Sequence, residues 1–197
     1  ETRVSETEIS EELRSLTPSS EVLDLIERLR EKIDITRRTI VGVHIRMNTN
    51  VSSDVPGIQN ILPDHPASAS HMGPVKYERS RCHYRYFIPH MERALVENPA
   101  SYFFVASDSS AAITALEAHF RSKVVSSGTR QEVCEGDGRR RVACLQTSLA
   151  EFVVLGTSCS SLIISEWSSA SELILRLGRQ DIPFQYGCAR RKTWFWG

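Results

Sequence analysis

The sequence predicts an α/β protein, a Rossmann-like, doubly wound parallel sheet with helices on its faces. Three observations carry this expectation. Short apolar runs suited to buried strands alternate at least three times with stretches of helical periodicity, the pattern of a parallel sheet. Three of those runs end in small polar or charged residues: His44 and Arg46, Ser107 and Asp108, and Ser165 through Ser169. In an open parallel sheet, ligands sit in the crevice beyond the carboxyl ends of the strands. Finally, neither G-x-G-x-x-G nor G-x-x-x-x-G-K-[ST] occurs, which argues against a dinucleotide-binding glycine fingerprint and against a P-loop NTPase.

Length and charge narrow the classes further. A chain of 197 residues can bury a sizeable core. Its 24 Lys and Arg balance 24 Asp and Glu, so there is neither the basic footprint of a nucleic-acid binder nor a polybasic membrane surface. No apolar run approaches the roughly 20 residues that cross a bilayer. None of the five cysteines forms a CxxC pair, so a structural zinc site is not expected. Cys134 and Cys144 bracket a polar loop that a disulfide could close; two free thiols in a reducing compartment are the alternative.

Taken in order, residues 1–19 predict a polar, mobile end, and residues 20–197 one Rossmann-like domain. Ser19 or Ser20 caps a first helix, in which Val22, Leu25, Ile26, Leu29 and Ile33 recur at helical spacing. Ile40, Val41, Val43 and Ile45, interrupted by Gly42, make a strand buried on both faces. A long polar loop over 47–81, with four prolines, leaves its carboxyl end and suits a lid or acceptor-side loop. A helix is expected from Cys82 to Glu97, kinked or split at Pro89, then a strand from Tyr102 to Ala106. Ser107 to Ser110 cap a helix carrying Ile113, Leu116 and Phe120, and Val124-Val125 is a third strand. Residues 129–141 form a loop with a basic Arg139-Arg140-Arg141 run; Thr147 and Ser148 open the next helix. Ser161 to Ser165 is a fourth strand, Leu173 to Leu177 lie in a further helix, and Ile182 to Tyr186 suggest a last strand. Trp194, Phe195 and Trp196 could pack against the body. The histidines His65, His71, His83 and His90 show no metal-ligand spacing, and no metal is expected.

Two features at the strand ends suit an anion. A guanidinium on Arg46 can grip phosphate through a rigid fork of donors; the alternative is an arginine that merely ends a strand in solvent. Ser168 and Ser169 stand at a helix amino terminus, where backbone N–H groups and the helix dipole favour negative charge. The plainer account of that pair is an N-cap supported by Ser171 and Glu172.

The ordered set V-G-V-H-I-R, F-F-V-A-S-D, E-F-V-V-L-G and S-L-I-I-S-E-W-S-S-A-S-E-L resembles the fucosyltransferase superfamily, which includes peptide O-fucosyltransferases, α1,6-fucosyltransferases and nodulation fucosyltransferases. The resemblance spans roughly Ile40 to Leu177. It implies the C-terminal, GDP-fucose-binding lobe of a GT-B glycosyltransferase, with an acceptor lobe preceding it. By that resemblance Arg46 is the catalytic arginine that contacts the β-phosphate and stabilises departing GDP. His44 lies beside the nucleotide, Ser168 and Ser169 bind phosphate, and Glu151 reads guanine where the family typically has Asp. Asp108 falls in the second motif, with a binding or structural part. Met47 stands where the α1,6 and nodulation branches carry a second arginine. Asn50, itself in an Asn-Val-Ser glycosylation sequon, stands where peptide O-fucosyltransferases often have Asp.

The implied reaction is an inverting, metal-independent transfer of fucose from GDP-fucose to a hydroxyl of a glycan or peptide acceptor, with no cofactor besides the donor. Asp108 and Glu172 are the candidate general bases. A secretory-pathway location for the parent protein would fit this chemistry. Two alternatives stay open: a non-catalytic nucleotide-binding or interaction module of the same fold, and a hydrolase using Ser107 or Ser168. The latter lacks a G-x-S-x-G elbow.

Overall fold

Strand β1, Ile40–Ile45, is buried along its whole length, and the other elements are arranged about it. The computed structural model describes residues 5–33, 39–47, 82–127, 142–166 and 168–188. In these the order is α1 (Glu6–Ser15), α2 (Ser20–Ile33), β1, a 3-10 turn (Tyr84–Tyr86), α3 (Ile88–Glu97), β2 (Tyr102–Ser107) and α4 (Ser110–Phe120). A second 3-10 turn (Arg121–Lys123), β3 (Val124–Ser126), α5 (Val142–Ser158), β4 (Ser161–Ile164), α6 (Ser169–Leu177) and β5 (Phe184–Tyr186) follow. The strands form one sheet in the order β3-β2-β1-β4-β5, and every pairing is parallel. The fold is the expected doubly wound, Rossmann-like one.

Alternation along the strands sorts the core into two layers, because successive side chains of a strand point to opposite faces. Val41, Val43, Ile45, Phe103, Val105 and Ile163 meet Met91 of α3 and Leu116 and Phe120 of α4. Ile40, Phe104, Ala106, Leu162 and Ile164 meet α2, α5 and α6 through Ile26, Ile33, Val154, Leu155 and Ile174. Gly42 belongs to this second face. A Cβ there would stand 2.6 Å from Leu162 Cδ2 and 2.8 Å from Leu155 Cδ2, so the missing side chain lets α5 settle on β1. Beside it the thiol of Cys159, free and buried, is pushed up to about 12 by burial; the group is packing material rather than a nucleophile.

Where α5 meets the segment after α6, the contact is backbone on backbone. A Cβ on Gly156 would lie 2.7 Å from both the Ile174 carbonyl oxygen and Gly178 Cα. Alanine in a helix gains about 1 kcal/mol over glycine, whereas overpacking costs about 1–3 kcal/mol or more. Main-chain atoms on the facing side have no rotamer to move into, so the clash wins. Gly156→Ala is therefore expected to lower the melting temperature by several degrees; a variant that melts higher by calorimetry would overturn this packing argument.

Several local expectations are corrected. The polar end predicted over 1–19 contains helix α1. Ser5 caps it in a reciprocal box with Glu8, whose carboxyl is held below its ordinary range chiefly by the Ser5 backbone N–H. Glu6 lies 3.7 Å from Arg176 of α6. The segment from Cys82 is split rather than kinked: a 3-10 turn ends at Tyr86, and Pro89 sits in the first turn of α3, where the absent N–H costs nothing. Thr147 and Ser148 do not open α5, which starts at Val142; Thr147 turns its hydroxyl back onto the Ala143 carbonyl at 2.9 Å. Helix α6 begins at Ser169 with Ser168 as its N-cap, where the sequence reading placed a helix amino terminus.

One disulfide was not expected from the sequence. Cys82 and Cys188, separated by 106 residues, form a disulfide, and Cys144 is also disulfide-bonded. Cys134, the loop residues 48–81, Asn50, Arg139-Arg140-Arg141 and Trp194 to Trp196 lie outside the described residues.

Candidate functional site

Strand order reverses direction on either side of β1: the chain passes from β1 to β2 with α3 on one face, and α6 follows β4 on the other. The gap between the carboxyl ends of β1 and β4 is therefore the topological switch point, the place where such sheets open a crevice. Register sets the residues found there. Ile45 pairs with Ser107, and His44 pairs with Ile164. One residue further on in each case stand Arg46, Asp108 and Ser165.

These groups are stitched to one another. The Ser165 backbone N–H donates to the His44 carbonyl at 3.0 Å, and the Arg46 backbone N–H donates to Ser165 Oγ at 2.8 Å. Asp108 binds the end of β1 twice. Its Oδ1 accepts the Met47 N–H at 2.7 Å, and its Oδ2 pairs with the Arg46 guanidinium at 2.9 Å. The carboxylate is 10% exposed and the arginine 32%, so Asp108 is a largely buried anchor that fixes where a partly solvated guanidinium sits. Asp108 thus holds both Arg46 and the strand end.

On the far side of the switch point, Ser168 caps α6, its Oγ accepting from the Ser171 backbone N–H at 3.3 Å. The N-cap account of Ser168 thus holds, and it coexists with a helix start aimed at the crevice. Ser169 is exposed in the first turn. His44 is buried, with Nδ1 2.8 Å from Ser171 Oγ and its ring edge-on to Phe152 of α5 at 5.7 Å. Glu151, the residue before Phe152, is fully buried on the same helix. Helix α5 runs antiparallel to β1: Leu155 lies over Gly42 and Phe152 over His44. Glu151 therefore sits on the half of α5 nearer the carboxyl edge.

The structure brings Arg46, Asp108, His44 and Ser168 to one rim, with Ser169 in the first turn beyond it and Glu151 on the helix overhead. Ser165, which the sequence placed at a polar strand end, holds Arg46 by its backbone, and Ser171, expected only as support for the N-cap, bonds His44. The run Ser165-Glu166-Trp167-Ser168-Ser169-Ala170-Ser171 offered a signal, since hydroxyls at a strand end and in a first helical turn are both placed to bond backbone. Glu172, one candidate base, bonds Arg176 at 2.6 Å on an exposed helix face. Among the described residues no group of three His, Cys, Asp or Glu is placed to hold a metal ion, and no helix is long and apolar enough to cross a membrane.

The class defined by this geometry is an α/β, Rossmann-like protein with a polar, arginine-bearing switch point. Solved structures narrow the fold further. The chain is similar to NodZ alpha-1,6-fucosyltransferase soaked with GDP-fucose, at 16% identity and a TM-score of 0.50, covering 89% of this chain and 48% of that one. It is likewise similar to POFUT1 in complex with GDP, at 16% identity and a TM-score of 0.51, covering 92% of this chain and 52% of that one. The chain thus has a fold found within GT-B fucosyltransferases, as the motif resemblance implied, and it spans about half the length of each. By sequence it matches no protein-family model and no curated protein.

Proposed function

We propose that this chain is the GDP-sugar-binding half of an inverting, metal-independent glycosyltransferase that transfers fucose to a hydroxyl acceptor, a glycan or peptide. One observation supports the proposal: Arg46 follows β1 and Ser168 caps the helix after β4, the strand paired with β1, with the Arg46 backbone N–H bonded to Ser165 Oγ at the end of β4. In the reaction an acceptor oxygen attacks the anomeric carbon while the bond from that carbon to the β-phosphate oxygen breaks. GDP leaves with the electron pair, and the acceptor's proton passes to solvent or to a base. Arg46 supports the reading as a donor fork for the charge that grows on the diphosphate. The start of α6, with Ser168 and Ser169, adds N–H and hydroxyl donors. Glu151 has the chemistry to accept from the adjacent N–H donors on guanine's Watson–Crick edge. The NodZ and POFUT1 structures, solved with GDP-fucose and GDP respectively, agree with this choice of nucleotide.

Thermal shift with GDP, ADP and UDP tests the proposal. At a hundredfold excess over Kd, GDP should add about 2.7 kcal/mol, a rise of roughly 5–10 °C for a chain this size, with ADP and UDP well below it. A second reading, a non-catalytic nucleotide-binding or interaction module, is favoured by the structural partners that Arg46 and Ser168 already have within the chain. No response to any of the three nucleotides would decide for an interaction module.

A further inference from the structure

A regular parallel ladder fixes which atom each strand amide meets, because its bonds are evenly spaced along both neighbours. Strand β1 has such a neighbour on each side, β2 and β4. On the β4 side His44 pairs with Ile164, and the Ser165 N–H donates to the His44 carbonyl at 3.0 Å. The next bond of an unbroken ladder would run from the Arg46 N–H to the Ser165 main-chain carbonyl. The Arg46 N–H donates instead to Ser165 Oγ at 2.8 Å. On the β2 side the Tyr102 N–H donates to the Thr39 carbonyl, and the same count brings the Met47 N–H to the Asp108 carbonyl. There too a side-chain oxygen accepts it, Asp108 Oδ1 at 2.7 Å.

Both replacements have one geometric effect. A side chain reaches beyond its own main chain, so a neighbouring strand can leave β1 while its bond to β1 is kept. Asp108 shares this task with its ion pair to the Arg46 guanidinium. Ser165, 1% exposed, does it by its hydroxyl. Without that hydroxyl two arrangements are left. The ladder can run on to the main-chain carbonyl at 165, drawing β4 and the start of α6 toward Arg46. Otherwise the Arg46 N–H loses its acceptor in a buried place, which is costly enough to move the strand end. Either way the guanidinium changes its place relative to α6.

We propose that Ser165 is a positioning residue of this site: its hydroxyl closes the β1–β4 ladder in place of its own carbonyl, so that β4 parts from β1 one residue early and Arg46 is held at the rim with room for a diphosphate between it and the start of α6. The proposal rests on the nucleotide reading above for the ligand, but not for the ladder.

The test combines NMR of the ligand-free chain with GDP titration calorimetry on the unaltered chain, Ser165→Ala, Arg46→Ala and the double variant. In the unaltered chain the Arg46 amide should be protected from exchange, and no through-hydrogen-bond coupling should link its nitrogen to the Ser165 carbonyl carbon. Such a coupling would mean that the ladder runs on through the main chain, and overturns the proposal. So does an Arg46 amide that exchanges as fast as an exposed one. GDP affinity should fall about tenfold in Ser165→Ala, the worth of a weak bond to a charged group. Because Ser165 acts through Arg46, adding Ser165→Ala to Arg46→Ala should cost little more. An equal loss on both backgrounds overturns the proposal. A lower melting temperature with GDP affinity unmoved does so too, since a purely structural part for Ser165 would give that result. If the unaltered chain binds no GDP, the nucleotide reading fails and takes the ligand-directed half of this proposal with it. The ligand-free spectra tell that failure apart from a ladder that does not end at the Ser165 hydroxyl.

Discussion

Arg46→Ala is expected to slow transfer by on the order of a hundredfold or more while leaving the fold in place. Removing one fixed donor from a site of developing charge has that scale of effect, and a guanidinium contributes charge as well as donors. The fold should tolerate the change. The Arg46–Asp108 pair is 32% exposed on the arginine side and 10% on the carboxylate side, so its loss should cost less than the roughly 3–5 kcal/mol of breaking a fully buried pair. Asp108 keeps its bond to the Met47 N–H, so the end of β1 stays anchored. The readout is GDP release from GDP-fucose in the presence of acceptor, beside a melting curve. Arg46→Lys separates charge from geometry: an ammonium keeps the charge but cannot reproduce the planar fork, so it should recover only part of the rate. An alanine variant that turns over as fast as the unaltered chain would remove Arg46 from the proposed mechanism.

The second large effect concerns stability. Replacing both Cys82 and Cys188 by alanine opens a link between residues 106 positions apart. In the chain-entropy account, a loop of that length stabilises by about 4–5 kcal/mol, a large share of the roughly 5–15 kcal/mol that holds a domain together. At about 2–4 °C per kcal/mol, the double variant should melt roughly 10–20 °C lower. The local geometry agrees with a bond that matters. Gly187 packs directly on the Phe87 ring, and its amide donates to the Ile164 carbonyl, so the residue before Cys188 is held against both the sheet and the entry to α3. Replacing both cysteines avoids leaving a lone thiol to exchange with the Cys144 bridge. A melting temperature within a degree or two of the unaltered chain would show that this link is dispensable. We also propose, from the Cys82–Cys188 bond and the bonded state of Cys144, that the chain works in an oxidising compartment, where such bonds persist.

Much of the fold was legible because it is written in short-range periodicity. The β-branched run of β1, the Tyr102–Ala106 run and the Ser161–Ser165 run each carry their own strand signal, and a two-residue repeat against a 3.6-residue repeat needs no knowledge of distant partners. Helix ends were read less well for an equally local reason. Thr147 and Ser148 look like caps, but a threonine can bond back to the carbonyl four residues earlier and sit inside a helix. Helix α1 escaped because its face lacks buried apolar residues; a capping box and a neighbour, α6, sustain it instead. Among the site residues, Arg46, His44 and the serine pair followed from their position at strand ends and a helix start. Neither the double engagement of Asp108 nor the contact between His44 and Ser171 could be read this way.

By itself, then, the sequence determined the alternation of strands and helices, the parallel sheet, and the edge on which polar groups collect, since each depends on residues a few positions apart. Tertiary structure alone decided which cysteine meets Cys82, which oxygen of Asp108 takes the amide and which the guanidinium, and that a serine in α6 reaches a histidine in β1. Those choices depend on strand order, register and crossing helices, which bring together groups separated by 61 to 127 residues. Distance along a chain carries no information about them until the sheet has formed.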